Sequence, residues 1–324
     1  MVDICCMGEL FVDMFAAETG KKFSEVTAFL PTPGGAAANV AVEAARLGKQ
    51  AAFVGKVGDE AFGRWLAAVL AAEGVNVSGV RYDADARTTM NFITLPDANT
   101  PAFLFYRNPG ADMMLRADEL DADLICGSKI FHFGSLGLID EPLRTATITA
   151  VKTAAEAGVL VSYDVNYRAP LWKNPQVARE TILGMLPYVR ILKVNEEEMR
   201  LLCGDNEDFD AGCRQLCRLG PDLIVVTLGP KGSYFYCANG SAFVDGFPVE
   251  TADASGCGDA FIAGLLCQIA SETDYHNFLN PTRLSKALQF ANAAGAITAQ
   301  TKGVIPALPT EQQVNHFLAS FAVN

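Results

Sequence analysis

Three things are scarce or missing in this chain, and each excludes something. No apolar run approaches the roughly 20 residues that a membrane-spanning helix needs. Nothing at the start resembles a signal peptide. The chain is therefore expected to work away from membranes. Positive charge is short: 25 Lys and Arg stand against 37 Asp and Glu, for a formal net charge of −12. That balance argues against a nucleic-acid partner. It also means that an anionic ligand must find local positive charge in amide nests, a metal ion or individual Arg and Lys side chains. Two common phosphate motifs are absent as well. No Gly-Lys pair is followed by Ser or Thr, which removes a Walker A loop, and a G-x-G-x-x-G reading from Gly256 fails at Phe261. The missing dinucleotide fingerprint disfavours a nicotinamide-linked oxidoreductase.

Metal-site and disulfide signals are weak too. The 9 cysteines are odd in number and scattered through apolar segments. Cys213 and Cys217 are one helical turn apart, but no nearby His or Cys completes a zinc set. Buried thiols in a reducing cytoplasm are the expectation. There are 3 histidines. His132 sits among phenylalanines at a strand end without triad partners, so a packing role is expected.

What is present is organised around Asp253-Ala-Ser255-Gly256-Cys257-Gly258-Asp259. After it, Ile262, Leu265, Leu266 and Ile269 recur at helical spacing. The glycines therefore fall where a helix starts, with unpaired amides and the positive end of the dipole. A phosphate can approach closely there. Asp259, in the first turn, is placed to take a proton from a hydroxyl while the amides hold a phosphoryl group. The plainer reading is an ordinary loop-to-helix junction with a first-turn acid.

The rest of the chain reads as alternating strands and helices. Val2 to Met7 is a strand. In Leu10-Phe-Val-Asp13-Met, Asp13 is either a surface residue or a polar hook for a sugar hydroxyl. Gly34-Gly35 and Asn39 open a small-residue helix stopped by Gly48. A strand over 51–57 and a helix over 59–73 follow. Thr88 to Leu95 and Ala102 to Tyr106 read as paired strands joined through Pro96 to Pro101. With residues near 10–30 they suggest a small sheet set apart as a lid, spanning about 9–33 and 86–109 of a single domain that runs 1–324. From Lys129 a βα rhythm takes over, with polar residues at successive strand ends: Asp164, Asn166 and Arg168; Asn195 and Glu198; Thr227, Gly229 and Lys231. A hairpin turns across Asn239-Gly240. Long helices over 283–300 and 310–321 close the chain. Such alternation implies a parallel sheet covered on both faces, with ligands beyond the carboxyl ends of its strands.

Taken together, these segments resemble the ribokinase, or PfkB, family of carbohydrate kinases. Gly34-Gly35-Ala-Ala-Ala-Asn39 is similar to that family's N-terminal glycine signature, and Asp253 to Asp259 to its C-terminal one. Asp164-x-Asn166-x-Arg168, Asn195-x-x-Glu198, Thr227-Leu-Gly229-x-x-Gly232, Phe290-Ala-Asn292 and Lys302-Gly303 fall between and after them in family order. The likeness covers the whole chain. Arg87 to Thr94, Phe105 to Met113 and Phe131 to Ser135 look most like the fructokinase branch.

The resemblance implies a three-layer α/β/α sandwich with a mostly parallel central sheet and a small β-sheet lid. It implies transfer of the ATP γ-phosphate to a sugar hydroxyl with Mg²⁺. Asp259 would be the base, with Gly256, Cys257 and Gly258 as the anion hole. Asp13, Gly34, Gly35, Asn39, Arg107 and Arg168 would contact sugar or phosphate. Asn195 and Glu198 would organise metal and phosphates, Glu198 partly through water. Thr227, Gly229, Lys231, Gly232 and Asn292 fall at the nucleotide side. A monovalent cation, K⁺, would draw on Asp253, Ser255, Thr298, Thr301 and Gly303. A homodimer through the lid is a further expectation. Three departures stand out: Ala37 for a frequent proline, Ala254 for threonine, and Cys257 for alanine within the anion hole. Rival readings are another acceptor (ribose, a keto-deoxy sugar acid or a nucleoside) and a non-catalytic sensor of sugar or nucleotide.

Overall fold

The computed structural model describes residues 1–96, 102–204 and 208–322. Among the described residues, nine strands form the large sheet: β1 (Val2–Met7), β4 (Ala51–Gly58), β5 (Asn76–Asp83), β8 (Ser128–Gly134), β9 (Leu160–Asp164), β10 (Ile191–Asn195), β11 (Leu223–Thr227), β12 (Gly232–Cys237) and β13 (Gly240–Asp245). Their spatial order is β13-β12-β11-β10-β9-β8-β1-β4-β5. Every pair from β5 to β11 is parallel, and the β12–β13 hairpin adds an antiparallel edge.

Strand parity explains why helices cover both faces. Ile4, Cys6, Leu223 and Val225 point to one core, together with Val40, Leu66, Leu266 and Leu288 from helices on that side. Cys5, Met7, Ile224 and Val226 point to the other, with Ala150, Ile182, Leu202 and Cys213. Strands buried on both faces read as unbroken apolar runs, as parallel sheets do. The result is a three-layer α/β/α sandwich.

The small sheet comprises β2 (Phe11–Ala16), β3 (Phe29–Gly34), β6 (Met90–Thr94) and β7 (Ala102–Tyr106), in the order β3-β2-β6-β7. Its β2–β6 pair is parallel, and its outer pairs are antiparallel. The expected link between β6 and β7 includes residues 97–101, which lie outside the described residues.

One strand, β5, has no counterpart in the sequence reading, which passes from Gly74 to Thr88 without an element. Its segment Asn-Val-Ser-Gly-Val-Arg-Tyr-Asp is polar because it is the sheet's edge, where only Gly79 and Val80 are buried. An edge strand needs few apolar side chains, so its periodicity is faint.

Candidate active site

The helix Cys257–Ala270 begins at Gly256, whose φ of 77° lies in the left-handed region. A Cβ at Gly256 would also meet Val304 Cγ1 at 2.2 Å. Glycine is thus required twice, by backbone and by space. The turn is braced from behind. Asp253 Oδ1 accepts from the Ser255 amide at 2.9 Å, and Oδ2 accepts from the Gly303 amide at 3.1 Å. The Ala252 and Asp253 amides both reach Ala299 O. The first-turn amides have no partner within the helix itself, and the Cys257 amide reaches back to Ala254 O at 3.5 Å.

Asp259 occupies that first turn and is buried. Asn39 Nδ2 donates to Asp259 Oδ2 at 2.8 Å. Asn39 is on the helix Ala36–Arg46, which starts at Gly35. The two glycine turns read from the sequence therefore face each other across one carboxylate. Burial pushes Asp259 up to about 7; the Asn39 bond opposes the rise, Asp164 adds to it, and Lys193 and Arg168 pull it back.

Asp13 is buried at the same site, which removes the surface alternative. Asn91, its register partner on β6, donates Nδ2 to Asp13 Oδ1 at 2.7 Å. Gly34 makes room for this: a Cβ there would come within 2.1 Å of Asp13 Oδ2. Burial raises Asp13 to about 7, and the nearby Asp259, Asp253 and Glu9 add to it. Glu9, which the sequence reading leaves without a role, accepts the Ala36 amide at 2.7 Å and so caps the Asn39 helix from the loop between β1 and β2. The side chain of Arg107 is buried and held by Asp112, its Nε donating to Oδ2 at 2.7 Å. Arg168 is exposed, with its guanidinium within electrostatic reach of Asp259.

At the next strand ends, Asn195 caps the helix Glu196–Cys203. Its Oδ1 accepts the Glu198 amide while Glu198 Oε2 accepts the Asn195 amide, both at 2.8 Å. Glu198 Oε1 accepts from the Tyr167 amide at 2.7 Å. Each Glu198 oxygen thus has one amide and a remaining lone pair. Thr227 lies opposite Asn195 in the parallel register, followed by the turn Gly229–Lys231 and Gly232. Lys231 is exposed. Asn292 is buried and donates to Val244 O and Asp245 O, both at 3.2 Å. Behind the Asp253–Gly258 loop, Thr298 is buried with its hydroxyl on Ala294 O, and Thr298 O accepts the Thr301 amide.

Lys193 was missed in the sequence. It is the β10 residue opposite Asp164 of β9, and its Nζ reaches both Asp164 oxygens at 3.0 and 2.9 Å. The available signal was a lysine inside an apolar strand. His132 is buried, with Nδ1 3.0 Å from Ser162 Oγ, and burial holds it down at about 4, hence neutral. The Cys257 thiol is pushed up to about 12, burial being the main cause, which keeps it from the reactive thiolate form. Among the described residues no group of His, Cys, Asp and Glu forms a metal cluster, and no helix is long and apolar enough to cross a membrane.

Chemically, the arrangement offers a buried carboxylate at the amide end of a helix, within electrostatic reach of a buried lysine. The profile of the pfkB family carbohydrate kinases matches residues 1–311. A relative from Arabidopsis thaliana, "Probable fructokinase-6, chloroplastic", is 44% identical over 99% of this chain and 83% of its own. The crystal structure of a fructokinase from Xylella fastidiosa with bound ATP superposes with a TM-score of 0.90 at 30% identity, covering 99% of both chains. A fructokinase from Vibrio cholerae O395, in a form with fructose, ADP and calcium ion bound, gives 0.87 at 31% identity over 98% of this chain and 99% of its own. Signatures, fold and whole-length similarity agree: the chain belongs to the pfkB family of carbohydrate kinases.

Proposed function

We propose that this protein is an ATP-dependent fructokinase that moves the γ-phosphoryl group of ATP to the 6-hydroxyl of D-fructose. The observation that carries the reading is the Asn39–Asp259 hydrogen bond. It ties the base to the glycine turn expected to hold the sugar, while the same helix end presents its amides to a phosphate. The similarity to fructokinases from a plant and two bacteria supports fructose as the acceptor.

In this reading Asp13, fixed by Asn91, accepts a sugar hydroxyl, and Asn39 keeps Asp259 Oδ2 occupied so that Oδ1 faces the attacking hydroxyl. As the hydroxyl oxygen bonds to the γ-phosphorus, its proton passes to Asp259. The bond between that phosphorus and the bridging oxygen breaks, and ADP leaves with the electron pair. The amides of Gly256, Cys257 and Gly258 take up charge on the phosphoryl oxygens. Thr227, Gly229, Lys231 and Gly232 line the nucleotide side.

The residues present fit a divalent ion held through water, since each Glu198 oxygen keeps a lone pair beside Asn195. Mg²⁺ bound there would neutralise phosphate charge. The carbonyl-rich loops at 252–255 and 298–303 fit a monovalent cation, K⁺, behind the anion hole. The small sheet is the lid that excludes water from the transfer. Leu30, Phe103, Leu104 and Tyr106 are exposed on it, which suits a second copy of the chain. All 9 cysteines are unpaired, which suits a reducing compartment such as the cytoplasm.

An ADP-coupled assay across D-fructose, ribose, 2-keto-3-deoxygluconate and nucleosides tests the reading. Fructose should give the highest kcat/KM. A higher value with another acceptor reassigns the substrate, and no sugar-dependent ADP release would favour a sensor.

A further inference from the structure

The Lys193–Asp164 pair is buried directly under the anion-hole turn, and the mechanism above does not use it. Lys193 has both Asp164 oxygens within hydrogen-bond distance. Its ammonium also lies close to the turn: a Cβ on Gly258 would stand 3.1 Å from Nζ. No other side chain intervenes in that close approach, so Gly258 lets a positive charge sit beneath the anion-hole amides. We propose that Lys193 is a positioning residue for phosphoryl transfer, supporting the anion-hole turn from below and supplying the charge that keeps Asp259 available as a base. Asp164 holds Lys193 in place and, as a like charge near Asp259, opposes that effect.

Two further observations support this. A buried ion pair alone is a poor source of stability, because desolvation offsets the attraction. A lysine in the middle of an apolar strand therefore invites another explanation. Moreover, the groups facing Asp259 come from several elements: Asn39, Asp13, Asp164, Arg168 and Lys193, with His132 lining the same cleft. Of these, His132 is held neutral and Arg168 is exposed. Lys193 is thus the buried cation of the set.

The inference rests on Asp259 being the base, and the test separates the two. Lys193→Met and Asp164→Asn break the same ion pair. A merely structural role predicts that both lower thermal stability and that neither moves the pH profile, or that both move it alike. The proposal predicts opposite shifts of the acid limb of kcat: upward by about one pH unit in Lys193→Met, and downward in Asp164→Asn. In Lys193→Met, kcat should also fall at least about tenfold at pH 7 with a nearly unchanged KM for fructose. The double variant should return the limb towards the wild-type position while kcat stays low. Limbs that do not move, or that move together, overturn the proposal. Where a single variant does not fold, the double variant decides: near-wild-type kcat overturns the proposal, and a tenfold loss with an unmoved limb upholds it. If instead Asp259→Asn keeps wild-type turnover, the reading of Asp259 fails independently of Lys193.

Discussion

Asn39 and Asp259 are 220 positions apart in sequence and share a buried 2.8 Å hydrogen bond. The bond runs from a side-chain amide on one glycine-opened helix to the first-turn carboxylate of another. It is favourable to the ionised carboxylate and so works against the burial that raises Asp259. Asn39→Ala should therefore move the acid limb of kcat to higher pH and lower kcat at pH 7 by roughly tenfold. A pH–rate profile at saturating ATP and fructose checks this. Retention of the wild-type limb would mean that the bond does not tune the base.

The wild-type profile follows from the same carboxyl. As the proposed base, Asp259 must be ionised to accept a proton, and burial pushes it up to about 7. Activity should fall as pH drops below about 7.

Stability should run the other way. The folded value of about 7 exceeds the ordinary 3.8. The group's contribution is thus fully present below pH 3.8 and lost as pH rises through about 7. Asp259→Asn removes that dependence. Its melting temperature should exceed wild type at pH 8, by an amount reflecting a few kcal/mol at most, and the gap should narrow by pH 5. Differential scanning calorimetry at the two pH values measures it.

Gly256→Ala meets two obstacles, the positive φ and the Val304 side chain at 2.2 Å from the added Cβ. A loss of about 1–3 kcal/mol is expected from the backbone strain alone. The distorted anion hole should lower kcat by about 10²-fold. Chemical denaturation and steady-state kinetics report the two effects separately.

Removing divalent cations with EDTA should abolish turnover while leaving fructose binding intact, because the proposed sugar contacts, Asp13 and Asn39, are held by protein groups rather than by the ion. Glu198→Gln keeps the size of the side chain but loses the charge. It should raise the Mg²⁺ concentration for half-maximal rate by about tenfold. Isothermal titration with fructose and a Mg²⁺ titration of kcat check the two halves.

Much of the fold is legible in the sequence. The helix after Gly258 announces itself by its apolar stripe, and the alternation from Lys129 onward dictates a parallel sheet with polar strand ends on one side. The glycine turns are legible because positive φ and close approach require glycine; Asp259 is legible from its place in the first turn, and Asn39 from the family signature it sits in. What could not be read depends on register. Asp13 is fixed by Asn91 only because β2 and β6 pair in one particular alignment. Lys193 faces Asp164 for the same reason on β10 and β9. β5 escaped notice because an edge strand carries little apolar pattern.

The most direct test is fructose-dependent ADP release by wild type and Asp259→Asn at pH 8, with fructose affinity measured alongside. The account predicts unchanged fructose binding and a kcat lower by about 10²–10⁴-fold in the variant. Turnover close to wild type in Asp259→Asn would contradict it.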